Sequence, residues 1–194
     1  MGYYVQIPAD NIGRILAKLR PPEHQMIDLR LDPSGAEGLT PFADVMRTVM
    51  HAIVTDWPAG TVFVVGFDDD MRYVQGMHYP TTWLIEFGRQ DATTMESAAR
   101  VGWIDPETIP TEHPDFASQI DWKNNLVQEL DWQVDGLPKI AAELENAAYE
   151  FLGARPDEEY QLQIFFTGDG GDDTEDVVVE PFDDTADEKE QVST

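Results

Sequence analysis

The sequence contains no cysteine, few basic residues and no long apolar run. Without cysteine the chain can form neither disulfides nor zinc-thiolate sites, and it has no thiol nucleophile. No apolar stretch approaches the roughly 20 residues that a membrane-spanning helix needs. Asp10 and Asn11 also interrupt the N-terminal segment where a signal peptide would be apolar. We therefore expect a cytoplasmic protein that neither spans nor binds a membrane.

The shortage of positive charge is the largest departure from an average composition. Only 12 Lys and Arg stand against 38 Asp and Glu, which gives a formal net charge of −26. A field of this sign repels phosphate backbones, so we expect no binding to nucleic acid. The acidity is compatible with solubility, with adaptation to a salty environment, with attraction to a basic partner or with imitation of DNA, and solubility is the simplest of these explanations.

Residues that carry catalysis or hold cofactors show no recognisable pattern. The serines lie in neither a Gly-x-Ser-x-Gly nor a Ser-x-x-Lys motif, and the carboxylates are too numerous for any pair to be informative. The glycine-rich run from Gly168 lacks the spacing of a phosphate-binding or calcium loop. We expect no enzyme, cofactor or metal site. An enzyme would need His51, His78 or His113 beside carboxylates in one pocket.

Apolar spacing predicts an α+β fold with an antiparallel sheet packed by two or more amphipathic helices. The centre of that sheet is a three-stranded meander, and the segment from Trp122 to Val134 is ambiguous between strand and helix. A capping-box pattern of Thr93 and Glu96 predicts the start of a short helix. The predicted elements are a helix from about Phe42 to Val54, strands near 61–67, 72–75 and 82–87, a short helix over 93–103, a helix from about Leu137 to Leu152 and a strand over 160–166.

We expect the chain to have three parts. Residues 1–38 form a strand-helix-strand extension that we expect to pack on the main domain, which spans residues 39–167. Residues 168–194 contain eleven acids and a single basic residue, Lys189. This acidic tail is predicted to be largely disordered.

Aromatic residues on the meander and the short helix are the candidate binding residues. Tyr73 and Gln75 alternate on one face of their strand, and Trp83 and Phe87 alternate on one face of theirs. Trp103 is the last residue of the predicted short helix. If one face of the sheet is free of helices, these side chains would form a patch suited to peptides. If both faces are covered, they are core residues.

Three short motifs resemble those of a known family. The strings Arg72-Tyr73-Val74-Gln75 and Trp83-Leu84-Ile85-Glu86-Phe87, followed by Ala98-Ala99-Arg100-Val101-Gly102-Trp103 and Pro106, are similar to the actinobacterial TY-Chap domains. These domains are named for their likeness to type III secretion (Tir) chaperones and YbjN proteins. The resemblance spans about Leu39 to Thr167. It implies a chaperone-like fold that binds peptides or proteins and has no catalytic residues to transfer.

The sequence thus favours a non-catalytic, chaperone-like or adaptor domain that binds a protein or peptide client on a sheet face or in a helix groove. The client could be basic, and the domain could act as a homodimer, as secretion chaperones do. The alternative is an acidic inhibitor or immunity-type protein that caps a basic enzyme or mimics DNA. Salt separates the two hypotheses, because binding led by charge weakens steeply as ionic strength rises.

Overall fold

The computed structural model describes residues 6–19, 26–35, 38–67, 72–88, 91–105 and 125–166. The predicted acidic tail lies outside the described residues. The helices are α1 (Ile12–Leu16), α2 (Phe42–Asp56), α3 (Ala92–Arg100) and α4 (Leu137–Asn146), and the strands are β1 (Gln6–Pro8), β2 (Met26–Asp32), β3 (Ser34–Gly35), β4 (Gly38–Leu39), β5 (Thr61–Gly66), β6 (Tyr73–His78), β7 (Thr82–Gly88), β8 (Asn125–Asp131) and β9 (Tyr160–Phe166).

Seven of these strands form one sheet in the order β1-β2-β9-β5-β6-β7-β8. Strand β1 runs parallel to β2, and every other neighbouring pair is antiparallel. The meander β5-β6-β7 is confirmed, and so is the α+β fold with a mostly antiparallel sheet. The likeness to secretion chaperones and YbjN proteins stays a prediction.

The N-terminal extension contributes two strands to this sheet. Strand β2 pairs with β9 from Met26↔Phe165 to Leu31↔Tyr160, so the chain's last described strand lies between β2 and β5. The boundary predicted after residue 38 falls inside a small separate hairpin of β3 and β4. In the described residues the extension and the main domain therefore share one sheet.

Helices α2 and α4 follow their predicted apolar stripes and pack on the same side of the sheet. Helix α4 begins after Gly136, which has a φ of 78°. Glycine adopts a positive φ at little energetic cost because it has no Cβ. The helix continues into a π-helical turn over Ala147–Phe151. The first turn of α2 has no cap from Pro41, and instead the N–H of Ala43 donates to Glu145 Oε2 of α4 at 2.8 Å. A carboxylate suits a helix N-terminus, because the first N–H groups there have no intrahelical partner.

The structure corrects one local prediction and assigns one segment that the sequence left ambiguous. Helix α3 is capped by Asp91 rather than Thr93, because the Asp91 carboxylate accepts from the N–H groups of Thr93 and Thr94 at 2.9 Å. Aspartate is among the strongest N-cap residues, and here it precedes the capping-box pattern by two positions. The ambiguous segment from Trp122 contains strand β8, in which Leu126 and Leu130 alternate toward the helices.

Candidate binding face of the sheet

The sheet has one side packed by helices and one side to which no described helix contributes. The main core cluster contains residues of all four helices together with alternate residues of the strands. The second cluster draws only on strands and the β6–β7 turn. Its members are the buried Val62, Met77, Leu84 and Val127, with the partly buried Val64, Tyr79 and Phe165 packed against them. We call this side of the sheet the helix-free face.

Strand register arranges the side chains of the helix-free face in three rows that cross the strands. The first row is Met26, Phe165, Val62, Met77 and Leu84, and it ends at the exposed Glu129 on β8. The middle row is Asp28, Gln163, Val64, Gln75, Glu86 and Val127. The third row is Arg30, Gln161, Gly66 and Tyr73, and Asn125 lies beyond it on β8. Apolar side chains thus lie next to amides and acids.

A buried polar network occupies the β6–β8 end of this face. Asn125 Nδ2 donates to Glu86 Oε2 at 2.7 Å, and the hydroxyl of Tyr73 donates to Asn125 Oδ1 at 2.6 Å. Glu86 is only 1% exposed. Burial raises the pKa of its carboxyl, and hydrogen bonds from Asn125 and Gln75 partly oppose that rise. The network fixes Tyr73 and Gln75 at the border of the exposed region.

Exposure divides the helix-free face into two parts. On β7 and β8, the side chains of Leu84, Glu86 and Val127 on this face are buried. The part over β2, β9, β5 and the start of β6 is partly exposed, and we call it the open half. Its members are Met26, Asp28, Arg30, Val64, Gly66, Tyr73, Gln75, Gln161, Gln163 and Phe165.

Gly66 leaves open space over its backbone in the open half, and we call this space the depression. A Cβ added at this glycine would meet no atom within 4 Å, while its neighbours in the row are Gln161 on one strand and Tyr73 on the other. The depression therefore has a backbone floor, with an amide on one side and a phenol on the other.

Asp28 lies on the β2 side of the depression and has only neutral partners. Its Oδ1 accepts from Gln161 Nε2 at 2.7 Å and its Oδ2 accepts from Gln163 Nε2 at 3.2 Å. No ion pair joins Asp28 to a described Lys or Arg, whereas the neighbouring Arg30 pairs with Glu159 at 2.8 Å. The open half therefore has a negative charge that no described cation neutralises.

The structure separates the five predicted binding residues. Tyr73 and Gln75 lie on the helix-free face, in the open half. Trp83, Phe87 and Trp103 lie in the main core cluster and are 0%, 0% and 2% exposed. Their side chains therefore offer no surface to a partner in this structure.

The three buried aromatic residues pack against one another and against helices. Phe87 meets Trp103 edge-on at 4.7 Å between ring centroids and stacks on Phe151 at 5.4 Å. Trp83 lies 5.6 Å from Phe63, and both rings cover Gly76. These contacts belong to the core of the fold, where aromatic pairs add to the stability that burial provides.

Gly66, Asp28, Gln161 and Gln163 were not among the predicted site residues. The alternation of Gln161 and Gln163 with Tyr160, Leu162 and Ile164 did indicate a half-buried strand, which implies a polar face. It gave no sign that Asp28, more than 130 residues earlier, would lie beside these amides.

The histidines considered for an enzyme are dispersed among the described residues. His51 is exposed on α2, and His78 is 6% exposed beside Trp83 on the helix-covered side. Burial lowers the pKa of His78, and the carbonyl of Pro58 opposes this only in part. His113 lies outside the described residues. Within the described ranges no three His, Asp or Glu residues form a group that could hold a metal ion.

Comparison with known proteins gave no match to a family model, to a curated protein or to a solved structure. The resemblance to TY-Chap domains therefore stays a prediction. None of the helices in the described part of the chain has both the length and the apolar character needed to span a bilayer.

Proposed function

We propose that this protein is a non-catalytic domain that binds an extended segment of another polypeptide on the open half. The observation that carries the proposal is the depression at Gly66, because Gly66 lies between partly exposed Tyr73 on β6 and Gln161 on β9, with partly exposed Val64 two residues away on β5. An extended peptide presents both apolar side chains and backbone polar groups. Glutamine amides can donate to and accept from that backbone, while the sheet holds them in place before binding.

The resemblance to TY-Chap domains supports the same proposal, since it implies a chaperone-like or adaptor role in the cytoplasm. Of the motif residues that carry the resemblance, Tyr73 and Gln75 are the two that reach the open half. The aromatic residues Trp83, Phe87 and Trp103 support binding indirectly, because they fill the opposite side of the sheet and keep it rigid.

The proposal is tested by filling the depression. Peptides selected from a random display library on the full chain should bind a Gly66→Val variant at least about tenfold more weakly, because the new side chain occupies the space over the backbone floor. Ala142→Val is the matched control, since Ala142 is exposed on α4 on the other side of the sheet. Equal affinity of both variants for the selected peptides would show that binding occurs elsewhere.

The net charge of −26 supports a second candidate, an acidic inhibitor or immunity-type protein for a basic enzyme. This candidate predicts that affinity for the partner falls steeply between low and high salt. It also predicts that affinity changes little in Gly66→Val, because an interface dominated by charge does not depend on the space over one glycine. Sensitivity to Gly66→Val therefore distinguishes the two candidates.

A further inference from the structure

The charges of the open half are unevenly compensated. Arg30 is paired with Glu159, which leaves the carboxylate of Asp28 held by two neutral amides. Asp28 is partly exposed, so a cation from solvent can approach it. A carboxylate that is already oriented by amide donors loses little freedom when it binds a cation, and its hydrogen bonds to that cation are charge-assisted.

Asp28 and the depression at Gly66 are separated by a distance that one peptide can bridge. Strand β9 lies between them, and Asp28 is in the row of Val64, two residues along the strand from the row of Gly66. Two strand spacings of about 10 Å and two residues of about 7 Å along the strand combine to about 12 Å. Alternate side chains of an extended peptide lie about 7 Å apart on the same face. A lysine or arginine two residues away from an apolar residue can cover the rest with its flexible stem.

Resting on the function proposed above, we infer that the bound segment is basic. It places an apolar side chain over Gly66 against Tyr73, and it places a lysine or arginine two residues away at Asp28. Charge complementarity selects this occupant. The chain carries −26, so a second copy or the chain's own acidic tail would meet repulsion here, whereas a cationic segment is attracted.

The test uses the full chain and labelled peptides of about ten residues in fluorescence anisotropy. In the basic probe, leucine and lysine alternate at the odd positions and serine fills the even positions. A neutral probe carries glutamine in place of lysine, and an acidic probe carries glutamate. We expect the basic probe to bind most tightly and the acidic probe most weakly.

Three variants separate this inference from the function on which it rests. Asp28→Asn keeps one of the two acceptor oxygens but removes the charge, and it should weaken binding of the basic probe about five- to tenfold while leaving binding of the neutral probe unchanged. Asp56→Asn makes the same charge change at an exposed site on α2 and should affect neither probe. Gly66→Val should weaken binding of the basic probe and of the neutral probe by a similar factor.

Other outcomes of these measurements show whether the inferred basic segment or the proposed function is wrong. If Gly66→Val weakens both probes but Asp28→Asn leaves the basic probe unchanged, the open half binds peptides without the predicted cation. If Gly66→Val changes nothing, the proposed function itself is wrong. Tightest binding of the acidic probe would point to the acidic tail as occupant. A dimer in sedimentation velocity that dissociates in Gly66→Val would point to a second copy. Both of these last results overturn the inference.

Discussion

The two sides of the sheet use glycine in opposite ways. On the helix-covered side, a Cβ at Gly76 would lie 2.6 Å from ring carbons of Phe63, so the missing side chain makes room for closely packed aromatic rings. On the helix-free face, a Cβ at Gly66 would meet nothing within 4 Å. One glycine is required by the core, and the other leaves the surface open. The covered side is therefore closely packed at Gly76, while the open half is unfilled at Gly66.

The largest expected effect tests that contrast directly. Gly76→Ala should lower the free energy of unfolding by about 2–3 kcal/mol, because the new methyl group forces Phe63 or Trp83 out of its position. Gly66→Ala should change it by no more than about 0.5 kcal/mol, since it meets no neighbour. Urea unfolding of the two variants measures both values. A similar loss for both would mean that the two faces are equally tightly packed.

A second way to sharpen the comparison uses the pH dependence of stability. Burial raises the pKa of Glu86 in the folded state above its ordinary value. The stability linked to its protonated form is therefore fully present below the unfolded-state pKa and is lost as pH rises through the folded-state pKa. Glu86→Gln cannot ionise but retains an acceptor for Asn125. The variant should therefore gain stability relative to the natural chain as pH increases from the acidic range.

Unfolding in urea at a series of pH values, followed for both chains side by side, measures this difference. Other titrating groups contribute equally to the two chains and cancel. Parallel stability curves would show that the carboxyl of Glu86 does not change its pKa on folding, and that the helix-free face is more hydrated near Asn125 than its burial implies.

The strongly periodic elements could be predicted from the sequence, because the signal for each lies within the element. The apolar stripe of α2 and the alternation in β9 both gave the correct type and nearly the correct limits. The open half could not be predicted in the same way. Its geometry depends on β9 pairing with β2 and β5, which are far away in the chain.

Register also decided which aromatic residues reach the surface. Alternation shows that Trp83 and Phe87 share one face of β7, but it does not show which face the helices cover. In the structure Trp83 is paired with His78 and Phe87 with Val74, whereas Tyr73 and Gln75 fall on the other side. A shift of one residue would have reversed every side chain of the strand.

A smaller effect is expected where two helices meet on the covered side. Glu145→Ala removes the acceptor for the Ala43 N–H at the start of α2, and the loss of a cap of this kind costs about 1 kcal/mol. Glu150→Ala, at an exposed position of the π-helical turn, is the matched control and should be nearly neutral. Thermal unfolding monitored by circular dichroism distinguishes the two. Equal values would mean that water satisfies the first turn of α2 as well as Glu145 does.

The smallest effect concerns the ion pair beside the open half. The side chains of Arg30 and Glu159 are 50% and 36% exposed, so water and salt screen their attraction. A double-mutant cycle with Arg30→Met and Glu159→Gln should give a coupling energy of about 0.5 kcal/mol or less, falling further in 1 M salt. A weak coupling means that Arg30 can move aside at little cost when a basic segment approaches Asp28. A coupling well above 1 kcal/mol would mean that Glu159 holds Arg30 firmly in place, so that Arg30 could not move aside at little cost.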